Sequence, residues 1–287
     1  MKNYNYTIEE MVDIFESELK TFYPKEEIKG FIKWSFKHVC NYSSIDLTIH
    51  SKSFLSNAHS EPLLIIIERL KTFEPIQYII GETEFYGLKI KVNPNVLIPR
   101  PETEELVDWI IKDNKDKSIT ILDIGIGSGC IAIALKKNLP LAIIIAIDIS
   151  ENALNIAKEN ALLNEVSIDF RKINILDKTE RNTLHGIDLI VSNPPYIANQ
   201  EKYQMEKNVL DYEPHLALFV PDENPLLFYK EILDFAIEKF NKEGVVYCEI
   251  NENKVLELIN LFGEKGLKDF EFRKDIRGKD RMMKVII

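Results

Sequence analysis

The sequence predicts an α/β protein: an open sheet of seven mainly parallel strands, with a small helical domain ahead of it and a β-hairpin joining the two. Three observations predict this. From residue 118 onward, short runs rich in Ile and Val alternate with stretches of helical spacing. Those runs are apolar at nearly every position, the pattern of strands covered on both faces. Residues 1 to about 80 instead carry apolar residues at helical spacing, with no strand-like alternation.

Along the chain, Thr7 and Glu10 fit a capping box, in which each side chain satisfies a free N–H at a helix start. Met11, Ile14, Phe15 and Leu19 follow at helical spacing. Ile28, Ile32, Phe36 and Val39 repeat the pattern after Pro24, and a third apolar stretch, Leu63–Leu70, precedes Pro75. Glu84–Val92 has a glycine turn signal and then period-two alternation of Leu88, Ile90 and Val92, which predicts a hairpin. Pro94, Pro99 and Pro101 stiffen the passage after it. Pro101 suits the first position of a helix whose buried stripe is Leu106, Val107, Ile110 and Ile111. The chain thus divides into a helical domain (1–82), a hairpin linker (83–100) and an α/β domain (101–287). In the last, strands are expected at Ile119–Asp123, Ala142–Asp148, Val166–Phe170, Ile187–Ser192, Val245–Ile250, Phe270–Arg273 and Arg281–Ile287, with helices over Glu151–Leu163 and Leu226–Phe240.

Composition narrows the function. Among 287 residues, 46 are acidic and 36 basic, a net charge of −10. Binders held to DNA or RNA by phosphate neutralisation show the opposite balance. Cys40, Cys130 and Cys248 form no CxxC pair, and the five histidines have no metal-ligand spacing, so neither a metal site nor a disulfide framework is expected. The longest apolar runs, Leu63–Ile67 and Leu139–Ile147, fall short of the roughly 18 residues of a membrane span. No apolar signal core follows the first residues, and a cytoplasmic protein is expected.

Ile121–Ile133 runs from a strand into a helix and contains Gly125-Ile126-Gly127-Ser128-Gly129. Glycines there let the backbone turn sharply and approach a ligand without an intervening Cβ. A dinucleotide fingerprint places its last glycine one residue later. The compact spacing suits a ligand without a pyrophosphate, such as S-adenosylmethionine (SAM). Asp148, about twenty residues on at a strand end, is placed to accept hydrogen bonds from both ribose hydroxyls. Cys130, just inside the helix, reads as a small core residue.

The strand ending at Ser192 runs into Asn193-Pro194-Pro195-Tyr196. Two prolines fix φ and remove two N–H donors, leaving a rigid turn that offers mainly acceptors. The Asn193 side-chain oxygen and the Pro194 carbonyl would each accept one hydrogen of a planar NH₂ group, and the Tyr196 ring would lie against it. An amide or aryl-amine nitrogen is a poor nucleophile because its lone pair is delocalised. Holding both hydrogens would localise that pair toward a methyl–sulfonium bond, with nitrogen, carbon and sulfur nearly in line.

These residues resemble the class I SAM-dependent methyltransferases that modify amino nitrogens. More closely, the chain resembles the bacterial release-factor glutamine methyltransferases, the HemK/PrmC family. Glu74–Gly81 with Phe85-Tyr86-Gly87, Ile98–Glu104, Glu213-Pro214 with Ala217-Leu218, and Asp275–Gly278 with Asp280 and Arg281 carry the resemblance beyond the two loops. It implies a Rossmann-like methyltransferase sheet. It also implies methyl transfer from SAM to the N5 side-chain nitrogen of the glutamine in the Gly-Gly-Gln motif of peptide chain release factors. S-adenosylhomocysteine would be the second product, and the helical domain would recognise the substrate. Release factors would then be the partners, with neither nucleic acid nor membrane involved and a monomer favoured. By matching positions, Gly125–Gly129 and Asp148 would bind SAM and Asn193–Tyr196 the glutamine amide, with Asn193 beside both. The family's acidic–aromatic pair near the adenine is here Asn174-Ile175, which would meet the adenine edge and face without π stacking. Residues 219–225 lack the family's glycines. The alternatives are methylation of an exocyclic amine of a nucleic-acid base, methylation of a ribosomal-protein glutamine, and a SAM-binding regulatory protein without turnover.

Overall fold

The computed structural model describes residues 6–240 and 243–287. The chain forms two compact units, Met1–Gly81 with Lys207–Tyr212, and Glu82–Glu206 with Glu213–Ile287.

The first unit is helical: α1 (Ile8–Leu19), α2 (Lys25–Cys40), α3 (Ser44–Ile49), α4 (Asn57–Leu70), α5 (Ile76–Ile80) and, from later in the chain, α10 (Lys207–Tyr212). The capping box opens α1, with Thr7 N–H donating to Glu10 Oε2 at 2.7 Å and Glu10 N–H to Thr7 Oγ1 at 3.2 Å. Met11, Phe15 and Leu19 pack against Ile28, Ile32 and Phe36 of α2 and Leu63, Ile67 and Leu70 of α4. Ile14 and Val39 are half-buried at the margin of this core. A second capping box, Ser43 with Asp46, opens α3; its apolar residues Ile45, Leu47 and Ile49 recur at every second position instead of at helical spacing, and none is buried. The segment Lys207–Tyr212 lies with this unit, where the Tyr212 hydroxyl donates to the Thr72 carbonyl at 2.9 Å.

The second unit opens with the hairpin β1 (Glu82–Phe85) and β2 (Leu88–Lys91). Its turn has positive φ at both central residues, 51° at Tyr86 and 72° at Gly87, which matches the twist of an antiparallel pair. Then follow α6 (Pro101–Asn114), β3 (Thr120–Ile124), α7 (Cys130–Asn138), β4 (Ile143–Asp148), α8 (Glu151–Leu163), β5 (Asp169–Lys172), α9 (Lys178–Arg181) and β6 (Leu189–Ser192). After β6 come β7 (Ile197–Ala198), β8 (Phe219–Val220), α11 (Leu227–Lys239), β9 (Val245–Glu249), α12 (Val255–Glu264), β10 (Phe270–Lys274) and β11 (Asp280–Ile286). The seven-stranded sheet has the order β10-β11-β9-β6-β3-β4-β5, with β11 antiparallel to both neighbours and the other pairs parallel.

Two local expectations are corrected. The strand expected at Val166 starts at Asp169, because residues 165 and 166 still close α8. Glu165 is left-handed (φ 56°), and Val166 N–H reaches back to the Ala161 carbonyl at 3.0 Å. On α6, Ile111 is half-buried while Thr103 and Trp109 are buried; the helix turns Trp109 onto Tyr247 of β9, their rings 5.4 Å apart.

The hairpin is fastened by two asparagines one helical turn apart. Fully buried Asn160 accepts from Lys91 N–H at 2.7 Å and donates to the Lys91 carbonyl at 2.9 Å and the Ser128 carbonyl at 2.8 Å. Asn164 donates to the Lys89 carbonyl at 2.8 Å. Asn160 thus supplies β2 with the bonds a neighbouring strand would make and ties it to the glycine loop. Replacing it strands three backbone groups, at about 1 kcal/mol or more each. Asn160→Ala should lower the urea-unfolding free energy by roughly 3 kcal/mol. A loss below about 1 kcal/mol would show that those groups find other partners.

Candidate active site

The sheet order reverses beside β3, which has β4 on one side and β6 on the other. Ile124 is level with Ile147 and with Ser192, so the Gly125 loop, Asp148 and Asn193 leave neighbouring strand ends at one height. Ligands of open α/β sheets bind at such a reversal.

The glycine loop is built by its hydrogen bonds. Gly125 and Ile126 N–H both donate to the Ile147 carbonyl, at 2.9 and 3.0 Å, and Gly129 N–H closes a turn on the Ile126 carbonyl at 2.8 Å. Gly125 (φ 76°) and Gly127 (φ 52°) take conformations disfavoured for L-residues while facing open space. Gly129 differs: a Cβ there would lie 3.1 Å from Ala157 Cβ and Ile133 Cδ1, so its small size lets α7 approach α8. Asp148 accepts from Gly127 N–H at 3.0 Å and from Ser150 N–H at 2.9 Å. Burial holds this carboxyl above its ordinary pKa, against the backbone N–H groups that bond it.

A cavity of about 330 Å³ lies over these strand ends, within the second unit. Gly125, Ile126, Gly127, Ser128, Asp148, Asn174, Ile175, Asn193, Pro194 and Pro195 line it. Gly129 and Tyr196, also sequence-predicted site residues, are not among its lining residues. Asn174 Oδ1 accepts from Leu176 N–H at 3.0 Å. The Arg181 guanidinium, almost wholly buried, donates to the Ile175 carbonyl at 3.0 Å and fixes that turn from behind. Cys130, half-buried, also lines the cavity, and burial pushes its thiol up to about 12.

Sequence reasoning passed over several lining residues. Pro94–Leu97 and Pro99–Arg100 form one wall and Pro214, Leu216 and Ala217 another. Buried Glu213 joins them, accepting from Arg100 Nη2 at 2.5 Å and from Ile98 N–H at 3.3 Å. Thr103 and Glu249 were missed as well. Thr103 Oγ1 donates to Glu249 Oε2 at 2.6 Å, Asn193 Nδ2 lies 3.3 Å from Thr103 Oγ1, and the Tyr196 hydroxyl donates to Glu249 Oε1 at 2.9 Å. Thr103 lies in the Ile98–Glu104 motif, and Glu249 is a charge near the end of an apolar strand.

Residues 15–81 match the PrmC N-terminal domain and residues 103–214 the Methyltransferase small domain. A release factor glutamine methyltransferase of Flavobacterium psychrophilum is 46% identical over 94% of this chain and 96% of its own length. The chain belongs to the release factor glutamine methyltransferase family. A second member, from Bacteroides thetaiotaomicron, is 44% identical over 92% of this chain and 95% of its own. Among solved structures, the hMettl16 catalytic domain in complex with MAT2A 3'UTR hairpin 1 superposes with a TM-score of 0.57 at 17% identity, covering 88% of this chain and 90% of that one, which shows a shared fold. Among the described residues, no helix is long and apolar enough to cross a membrane, and no group of three or more metal-capable side chains is present.

Beneath the glycine loop, Asp123 is fully buried. One oxygen accepts from Ala132 N–H at 3.1 Å and the other has no partner; burial pushes the carboxyl up to about 7. Below about pH 4 this acid is protonated in both folded and unfolded chains. Between there and about 7 the unfolded chain releases the proton while the folded one keeps it, so stability falls as pH rises across that window. The fall attributable to Asp123 is on the order of 4 kcal/mol. In urea titrations at a series of pH values, Asp123→Asn should flatten the profile, leaving the slope that Asp148, Glu213 and Glu249 add in the same direction. Superimposable wild-type and variant profiles would place the titration elsewhere.

Proposed function

We propose that this protein transfers a methyl group from SAM to the N5 side-chain nitrogen of the glutamine in the Gly-Gly-Gln motif of peptide chain release factors. The observation that carries the reading is that Asn193 and Pro194 line the same cavity as the glycine loop and Asp148, one strand away. The family's members named above point to the same substrate.

The residues present fit SAM. The open space over Gly125 and Gly127 lets backbone come close to a ligand, and the Asp148 carboxylate lining the cavity suits two ribose hydroxyls. With Asn174 Oδ1 taken by Leu176 N–H, the Asn174 amide offers donors to adenine ring nitrogens, and Ile175 offers an apolar face. Bound there, SAM supplies a methyl group on a cationic sulfur, which keeps the bonding electrons and leaves as S-adenosylhomocysteine.

Asn193 Oδ1 and the Pro194 carbonyl accept the two hydrogens of the glutamine amide and hold them away from the plane that favours delocalisation. The nitrogen lone pair is thereby directed at the methyl carbon. No strong base is needed before transfer, because nitrogen becomes acidic only once it is alkylated. The product nitrogen then sheds one proton to water. Tyr196, with its hydroxyl held by Glu249, stiffens the turn carrying both acceptors. The helical unit would recognise the release factor, in the cytoplasm.

Purified protein incubated with labelled SAM and a release factor should yield N5-methylglutamine in the Gly-Gly-Gln peptide by mass spectrometry. Label appearing in nucleic acid or a ribosomal protein, and none in release factor, would overturn the substrate. Asn193→Ala should leave SAM affinity within about twofold while kcat/KM falls by about 10²-fold or more. Unchanged turnover would remove Asn193 from the chemistry. Asp148→Ala should instead weaken SAM binding first, by about tenfold or more in calorimetry, since a charge-assisted hydrogen bond is worth some 1.5–3 kcal/mol. Wild-type affinity would rule out the ribose contact.

A further inference from the structure

The Asn193 amide has two orientations of nearly equal shape, and only one places its oxygen in the cavity. Partners decide between them. Glu249 ends β9, the strand beside β6, and its two oxygens meet the hydroxyls of Thr103 and Tyr196 at 2.6 and 2.9 Å. Burial holds the Glu249 carboxyl above its ordinary pKa, against the pull of the two hydroxyls and the Arg281 guanidinium. Both hydroxyls donate to it, so the single hydrogen of each is committed to Glu249. The Thr103 oxygen, its hydrogen committed, can then only accept from Asn193. At 3.3 Å the Asn193 atom facing it must be Nδ2, which leaves Oδ1 for the cavity.

We infer that Thr103 and Glu249 are positioning residues that set the orientation of the Asn193 amide, so that the site presents an acceptor and selects a carboxamide over a carboxylate. This rests on the reading that Asn193 holds the substrate amide. The chain of bonds runs from a carboxyl that accepts, through a hydroxyl, to an amide nitrogen, and each link fixes the next. An inverted amide would put an NH₂ group against the NH₂ of glutamine. That would turn an attractive contact into a repulsive one and welcome a carboxylate instead. The same carboxylate holds Tyr196, so both ends of the reactive turn are secured by one residue of a neighbouring strand.

Thr103→Val keeps the shape and removes the hydroxyl; Thr103→Ser keeps the hydroxyl. Against a release factor, Thr103→Val should lose on the order of 10²-fold in kcat, the scale of a misplaced catalytic group, with SAM affinity within about twofold of wild type. Thr103→Ser should stay within about fivefold of wild type. A second readout is inhibition by a release factor carrying glutamate in place of its acceptor glutamine. The ratio of its inhibition constant to the KM of the normal factor should drop by about tenfold or more in Thr103→Val, because the unpinned amide can turn its NH₂ toward the carboxylate. Three results would each overturn the inference: kcat in Thr103→Val close to wild type, Thr103→Ser as impaired as Thr103→Val, or an unchanged ratio in Thr103→Val. SAM affinity and activity lost together in Thr103→Val would also overturn it, because the threonine would then be supporting the fold. Failure of the substrate reading is distinguishable, since it shows as wild-type protein that does not methylate the release factor at all.

Discussion

Everything at the site depends on the register of three parallel strands. Ile124 stands level with Ile147 and Ser192, so three chain exits that are far apart in sequence open side by side. Each exit carries a different chemistry: positive-φ glycines after β3, a carboxylate at the end of β4, and an acceptor turn after β6. A parallel sheet enforces this because its register is set by slanted, evenly spaced hydrogen bonds, and a slip of one residue would move every side chain to the opposite face, where it meets different packing partners. The Gly125 and Ile126 amides extend that register beyond the strands by both bonding to Ile147.

Around this frame the chain buries polar groups against the segments that border the cavity. Asp123, Asn160, Glu213 and Glu249 are all buried, and each touches a segment bordering the cavity. Buried polar groups weaken a fold unless their bonds are made, and they then specify one arrangement closely. Asn160 and Glu249 have theirs made on every side shown: the first to Lys91 and Ser128, the second to Thr103 and Tyr196. Asp123 is the exception, with one oxygen bare. Its burial raises its pKa until neutrality relieves the cost of burying it, which is the form a carboxyl adopts when no partner is available.

Much of this was legible in the amino acids. The Ile/Val runs marked the strands of the sheet to within a few residues, and the glycine spacing and Asn193-Pro194-Pro195-Tyr196 sit at strand ends as expected. What escaped lacked a local mark of the right kind. The short helix α3 has its apolar residues at every second position, and the β5 boundary was displaced because Val166 looks like a strand residue while its N–H still belongs to α8. Lys207–Tyr212 packs with the helical unit by tertiary contacts that no local pattern encodes. Thr103 and Glu249 are 146 positions apart, and their meeting follows from α6 lying against β9. Pairings of that kind are written in topology, and topology becomes visible only when the sheet order is known.

The placement of Tyr196 changes how the reactive turn is understood. Read from sequence, its ring would lie on the substrate; in the structure its hydroxyl is bonded to Glu249 and its ring packs against the core behind β6. Two prolines already restrict the backbone, yet fixed φ angles alone do not fix where the turn sits relative to the cofactor loop. A bond from Tyr196 to Glu249, and a second link from the same carboxylate through Thr103 to Asn193, supply that missing constraint. For a nucleophile as weak as an amide this matters more than added acid or base strength. The barrier lies in aiming a delocalised lone pair, and an acceptor placed an ångström away aims it at nothing.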